Sequence, residues 1–145
     1  MLRAITCAAL FIASPVSGAQ AKSLKEQLVG TWSLFSIVNT NDSGEKATPY
    51  SDHPLGTYMF DETGHFAEII VNPDKEGVAI SFFGTYSADD DKAFVLHVVG
   101  SSVKRFIGTD AKRTVVSISD DAMETNNPTP SRGGGSAEAT WKRVK

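Results

Sequence analysis

The sequence predicts an all-β fold, an antiparallel up-and-down barrel of about eight to ten strands behind a short N-terminal helical turn. Three observations carry this. From position 30 onward the chain is a succession of short runs rich in Val, Ile, Phe, Tyr and Thr, punctuated by Gly, Asn, Asp or Pro. No stretch after position 29 keeps a helical apolar period long enough for a full helix. The first run opens on Gly30-Thr31-Trp32, where the glycine lets the chain bend sharply and the indole can plug the narrow end of a closed barrel. A barrel plugged at one end and open at the other is a cup for a small molecule.

Residues 1–21 read as a targeting segment. Met1-Leu2-Arg3 supplies a positive start and Ala4 to Ile12 a small-to-apolar stretch broken only by Thr6. Pro15, Ser17 and Gly18 then loosen the chain before the small-x-small triplet Ala19-Gln20-Ala21. The apolar part is too short for a membrane-spanning helix, which needs roughly 20 residues. The expectation is a cleavable signal peptide of residues 1–21 and a mature domain of residues 22–145, periplasmic or secreted. Cys7, the single cysteine, falls inside that segment, so the mature domain is expected to carry no thiol, disulfide or cysteine metal ligand. Cys7 also lies too early, and without a preceding leucine-small-small run, to be an acylation site.

Next, Ser23-Leu24-Lys25-Glu26-Gln27-Leu28 fits a short amphipathic turn, with Ser23 as cap and Glu26 three residues on. It would lid the closed end. Strands are expected at 30–39, 55–61, 65–71, 80–88, 92–100, 103–108, 112–119, 122–126 and 137–144. The clearest hairpin turn is Asp61-Glu62-Thr63-Gly64; Asn72-Pro73-Asp74, Ala88-Asp89-Asp90-Asp91 and Ser119-Asp120-Asp121 mark others. Longer loops at 41–55 and 126–136 are expected to border the open mouth.

The blocks Gly30-Thr31-Trp32, Gly56-Thr57-Tyr58-Met59-Phe60-Asp61, Gly64 to Val71, Phe82 to Ser87, Val95 to Ser101, Gly108-Thr109 with Arg113, and Ala139 to Val144 follow one another in order. This succession resembles the bacterial lipocalin-like domain family over nearly all of residues 28–144. The resemblance implies a small antiparallel barrel. It implies fold far more than function, because the family carries no single activity. It also places His97 on the family's histidine-containing strand, and it implies that a late arginine, Arg113 or Arg143, lies against Trp32.

Composition excludes some partners. With 14 Lys and Arg against 17 Asp and Glu the formal charge is −3. The basic pairs, such as Lys104-Arg105 and Lys112-Arg113, alternate with acidic turns, so no phosphate-neutralising face is expected and nucleic acid is not a partner. His53, His65 and His97 share neither a strand nor a helical spacing, so no metal site is expected, nor any cofactor. No nucleophile-elbow motif is present, and Gly133-Gly134-Gly135 lacks the lysine and helix of a phosphate loop.

The candidate site residues are His97, Tyr58, Tyr86 and Arg113, with Glu68 added if the barrel is an enzyme. His97 is the lone polar side chain in an apolar strand and is expected to point into the barrel, where its ordinary pKa of about 6.5 suits hydrogen bonding or proton transfer. Alternatively it is a structural histidine satisfied by a neighbouring polar group. Arg113 offers a planar fork for a carboxylate or other anion, or else packs on an aromatic ring. Glu68 shares a strand face with Phe66 and Ile70; inside it would carry a raised pKa, outside it would be solvated. Trp32 and Trp141 would close the base, with Phe66, Phe82, Phe83 and Phe94 as candidate walls. The leading function is binding of a small hydrophobic or amphipathic molecule. The alternatives are a cofactor-independent isomerase, cyclase or lyase acting in the same cup, and an interaction module with a filled core.

Overall fold

The computed structural model describes residues 21–132 and 134–145. The expected signal segment, Ala21 apart, lies outside the described residues together with Cys7, as does Gly133. Helix α1 (Leu24–Leu28) is a single capped turn. The Ser23 backbone N–H donates to Glu26 Oε2 at 2.8 Å, and the Ser23 hydroxyl accepts from the Glu26 N–H at 3.4 Å. So short a helix has no stability of its own. Burial of Leu24 and Leu28 holds it across one end of the barrel.

Nine strands follow: β1 (Gly30–Thr40), β2 (Lys46–Ala47), β3 (Leu55–Phe60), β4 (His65–Val71), β5 (Ala79–Ser87), β6 (Ala93–Ser101), β7 (Asp110–Ile118), β8 (Ala122–Asn127) and β9 (Ser136–Arg143). Apart from β2, each pairs antiparallel with the next in order, and β9 pairs back onto β1 to close an eight-stranded barrel. Strand β2 extends only the far end of β1, through Asn39 and Thr40. The strand expected at 103–108 does not form. Sheet pairing of β6 with β5 ends at Ser101 opposite Phe82, and the Ser101 hydroxyl accepts from the Val103 N–H at 3.0 Å, which turns the chain. Lys104–Phe106 is a 3₁₀ turn that leaves Val103 and Phe106 packed on the core.

Gly30 and Gly84 make close approaches that a side chain would block. At Gly30 (φ 130°) an added Cβ would sit 2.6 Å from the Arg143 guanidinium. At Gly84, where the β5–β6 register shifts, a Cβ would collide with the His97 carbonyl.

Inward-facing residues sort by size along the barrel axis. The end under α1 is filled by Trp32, Phe60, Phe66, Tyr86, Phe94 and Met123. Phe60 meets Tyr86 and Phe94 edge-on at centroid distances of 4.9 and 5.5 Å. Toward the other end the inward positions carry Ile37, Ile70, Ile80, Val98, Ala137 and Ala139, too small to meet across the barrel. The space they leave is the cup, and the long connections from β1 to β3 and from β8 to β9 stand at its mouth.

Candidate functional site

The closed end is sealed by Arg143, the last residue of β9, paired opposite Trp32. Its guanidinium lies 4.0 Å from the Trp32 ring centroid. It donates to the carbonyls of Val29 (2.6 Å), Gln27 (2.7 Å) and Asp120 (2.6 Å). Trp32 is fully buried and donates its indole N–H to the Leu28 carbonyl at 2.9 Å. Of the two arginines competing for this position, Arg143 takes it and Arg113 does not.

Arg113 instead enters the cup, a cavity of about 280 Å³. Its walls are Ile37, Ile70, Ile80, Phe82, Leu96 and Val98. At the floor four polar side chains from four strands converge: Tyr58 (β3), Glu68 (β4), Arg113 (β7) and Trp141 (β9). Tyr58 and Glu68 are register partners, so one inward face delivers both. Arg113 reaches across from the opposite wall and holds its Nη2 3.9 Å from Glu68 Oε2, an ion pair without a hydrogen bond. Among the described residues, the only hydrogen bond from the Arg113 side chain is from Nη1 to the Lys112 carbonyl at 3.1 Å. Tyr58 Oη, Glu68 Oε2 and Trp141 Nε1 are buried with no hydrogen-bond partner among the described residues. Burial raises the pKa of Glu68, opposed in part by the Arg113 charge. The Tyr58 phenol is pushed well above its ordinary value, by burial first and by the Glu68 charge second.

The mouth is polar. Tyr50 Oη and Ser131 Oγ lie 2.9 Å apart and tie the two long loops together. Arg105 donates to the Ser131 carbonyl at 2.8 Å, and Asn39 donates to the Arg132 carbonyl. Arg105 stacks on Phe106 and Arg132 lies over Tyr50.

Two expected site residues lie elsewhere. Tyr86 is buried in the closed end, with its hydroxyl donating to the Asp61 carbonyl at 3.0 Å, and it does not line the cup. His97 faces outward, contrary to expectation. Both faces of β6 are apolar, and the larger set, Phe94, Leu96 and Val98, takes the interior, leaving His97 outside with Val95 and Val99. There His97 Nδ1 sits 2.7 Å from Asp110 Oδ1, its register partner on β7, and Nε2 3.3 Å from Ser87 Oγ. This is a serine–histidine–aspartate chain in outline. Of the three only Asp110 borders the cup, at its rim; Ser87 and His97 do not line it. His97 and Glu68 lie on opposite sides of the barrel wall and cannot act as one acid–base pair. Of the proposed aromatic walls, Phe82 lines the cup, Phe66 and Phe94 fill the base, and Phe83 points to solvent.

Sequence reasoning missed Thr125 on the β8 wall, and Asn39, Arg105 and Arg132 at the mouth. The signal for Thr125 and Asn39 is strand parity; the arginines lie in loops, where no period reports direction. Among the described residues there is no cluster of three or more His, Cys, Asp or Glu suited to a metal ion, and no helix is long and apolar enough to cross a membrane.

An antiparallel eight-stranded cup, plugged by a first-strand tryptophan under a last-strand arginine, defines a barrel of lipocalin-like fold. The chain belongs to the family described as "Domain of unknown function (DUF4488)", which it matches over residues 27–145. A lipocalin-like protein from Bacteroides uniformis is 17% identical and superposes with a TM-score of 0.51, over 81% of this chain and 99% of that one. A redesigned beta barrel is 15% identical with a TM-score of 0.51, over 84% of this chain and 96% of that one. No curated protein matches the sequence.

Proposed function

We propose that this protein is an exported member of the bacterial lipocalin-like domain family that binds a small hydrophobic or amphipathic molecule in its cup. One observation carries the reading. An apolar-walled cavity of about 280 Å³ ends on a floor where Tyr58 Oη, Glu68 Oε2 and Trp141 Nε1 are buried and, among the described residues, have no hydrogen-bond partner. A buried polar group without a partner costs roughly 1–3 kcal/mol, so a chain built only to fold would place apolar side chains there. A ligand whose body packs on the walls and whose head meets the floor offsets that cost. An interaction module with a filled core would have no such space. Export rests on the sequence of residues 1–21, a positive start, an apolar stretch and Ala19-Gln20-Ala21.

Native mass spectrometry of protein purified from its own host tests the binding. The expected result is an added mass that is lost on mild activation. The variant Ala139→Phe, which fills the cup from one wall, should remove it while the protein still melts cooperatively. An adduct equally abundant in that variant would place the ligand elsewhere and refute the cavity reading.

A further inference from the structure

The floor is unbalanced in its hydrogen-bonding chemistry. Its donors are the Tyr58 hydroxyl, the Trp141 N–H and an Arg113 guanidinium with five N–H groups, of which the structure engages one nitrogen, Nη1, with the Lys112 carbonyl. The acceptors facing the cup are Glu68, whose Oε2 stands 3.9 Å from Arg113, outside hydrogen-bond distance, and, nearer the mouth, the buried Asn39 Oδ1, which has no partner among the described residues. A ligand head that satisfies the Arg113, Tyr58 and Trp141 donors must bring acceptors. An ammonium head would face a buried guanidinium of like charge, and a lone hydroxyl would leave most of the fork unmatched. A carboxylate supplies two coplanar oxygens, the geometry to which a guanidinium is matched. The rim agrees in sign: Arg105 and Arg132 stand at the mouth against the single acid Asp110. The cavity of about 280 Å³ bounds the size, because at roughly 30 Å³ per water-sized group it holds about nine or ten such groups.

We infer that the molecule bound in the cup is a monocarboxylic acid of about ten non-hydrogen atoms, its carboxylate seated on Arg113, Tyr58 and Trp141 and its body on the apolar walls. This rests on the binding reading above and adds the class of ligand to it. A consequence follows at Glu68. A second carboxylate brought to the same guanidinium repels the first, so the pair retains one proton, and Glu68 is the group already biased toward the neutral form by burial. The titratable and charged groups around Glu68 are Tyr58 on β3 and Arg113 on β7, with Asp110, Arg105 and Arg132 further out at the rim. Phe82, its register partner on β5, does not titrate. Binding is thus coupled to proton retention and weakens as pH rises.

Octanoate, octan-1-ol and octylamine, titrated against the purified protein and followed by Trp fluorescence and calorimetry, test the inference. Octanoate should bind about tenfold or more tightly than either of the others, the worth of a charge-assisted hydrogen bond. Once octanoate is itself ionised, its affinity should decline as pH rises further above 4.5, the ordinary value from which the Glu68 pKa is raised. In Arg113→Gln the octanoate preference over octanol should fall about tenfold. In Glu68→Gln, whose amide stands in for the neutral acid, octanoate should bind more tightly than in wild type at the higher pH, with the decline flattened. The wild-type comparison and the Glu68→Gln arm decide the matter even if Arg113→Gln fails to fold. Octanol or octylamine binding as tightly as octanoate overturns the carboxylate while leaving the cavity reading intact. Failure of all three to bind also overturns it, with the native-mass experiment judging the cavity separately. Octanoate binding undiminished in Ala139→Phe overturns it too.

Discussion

Replacing Arg143 with alanine removes the seal of the closed end, and its cost can be worked from the contacts. Two of its hydrogen bonds, to the Val29 and Gln27 carbonyls, are partly buried, and the third, to Asp120, is at the surface. Hydrogen bonds from charged groups contribute about 1.5–3 kcal/mol when buried. Partial exposure discounts the first two to about 1 kcal/mol each and the third to about 0.5 kcal/mol. The cation over the Trp32 ring adds roughly 0.5 kcal/mol at such a site. The total is about 3 kcal/mol, and for a domain of this size each kcal/mol moves Tm by roughly 4 °C. Thermal melting followed by circular dichroism should therefore show a fall of about 12 °C for Arg143→Ala. Arg143→Lys, which keeps the charge but can engage only some of the three carbonyls, should recover about half. A fall below about 4 °C for the alanine variant, or a lysine variant as stable as wild type, would refute the claim that a planar fork bonded to three carbonyls holds this end together.

Trp32→Ala should lose roughly 3–5 kcal/mol in a denaturant melt, the cost of truncating a buried aromatic, and an unchanged midpoint would show that the indole is not the plug. His97→Ala should change stability by no more than about 1 kcal/mol, since its bond to Asp110 is half-exposed; a loss above about 2 kcal/mol would put the imidazole in the core. The raised pKa of Glu68 sets a sign for pH dependence. The folded state binds the Glu68 proton more tightly than the unfolded chain, so that contribution is fully present below the ordinary value of 4.5 and is lost as pH rises through the folded value. Wild type should accordingly lose stability relative to Glu68→Gln as pH climbs above 4.5, and a constant difference across that range would mean that Glu68 is solvated. Protein recovered from the periplasm should begin at Lys22; an intact Met1 there would end the export proposal.

Strands were legible wherever period and turn chemistry agreed. Along β4 the alternation separates Phe66, Glu68 and Ile70 from His65, Ala67, Ile69 and Val71; both sets are apolar, and only the closed barrel shows that Glu68 lies inside. On β6 the faces are equally hard to tell apart because Val95 and Val99 make the outer face as apolar as many inner ones. There parity is set by the volume of Phe94 and Leu96, and the partner that satisfies His97 is visible only once the register with β7 is known. The stretch 103–108 has strand composition, yet the ladder has already ended at Ser101. The choice between Arg113 and Arg143 likewise depends on which one the β1–β9 register sets opposite Trp32. The floor itself was half legible. Tyr58, Glu68 and Arg113 were each identifiable as polar residues in strands, but their convergence depends on a chain that crosses the barrel four strands apart.

The seam between β1 and β9 joins the two ends of the domain, and Arg143 pins it to the segment around α1. Apart from β1 and β3, which β2 and a long loop separate, every other neighbour in the barrel is also a neighbour in sequence and can zip up as a hairpin. The seam alone must wait for the whole chain, because its partners are separated by about the length of the domain and closing so long a loop carries an entropic cost before any contact rewards it. A growing or partly unfolded chain is therefore an open, curling meander with two bare edges, one of them β1. Docking of β9 converts that meander to a barrel, removes both edges and creates the cup in one event, so the capacity to hold a ligand arrives last in the life of the chain.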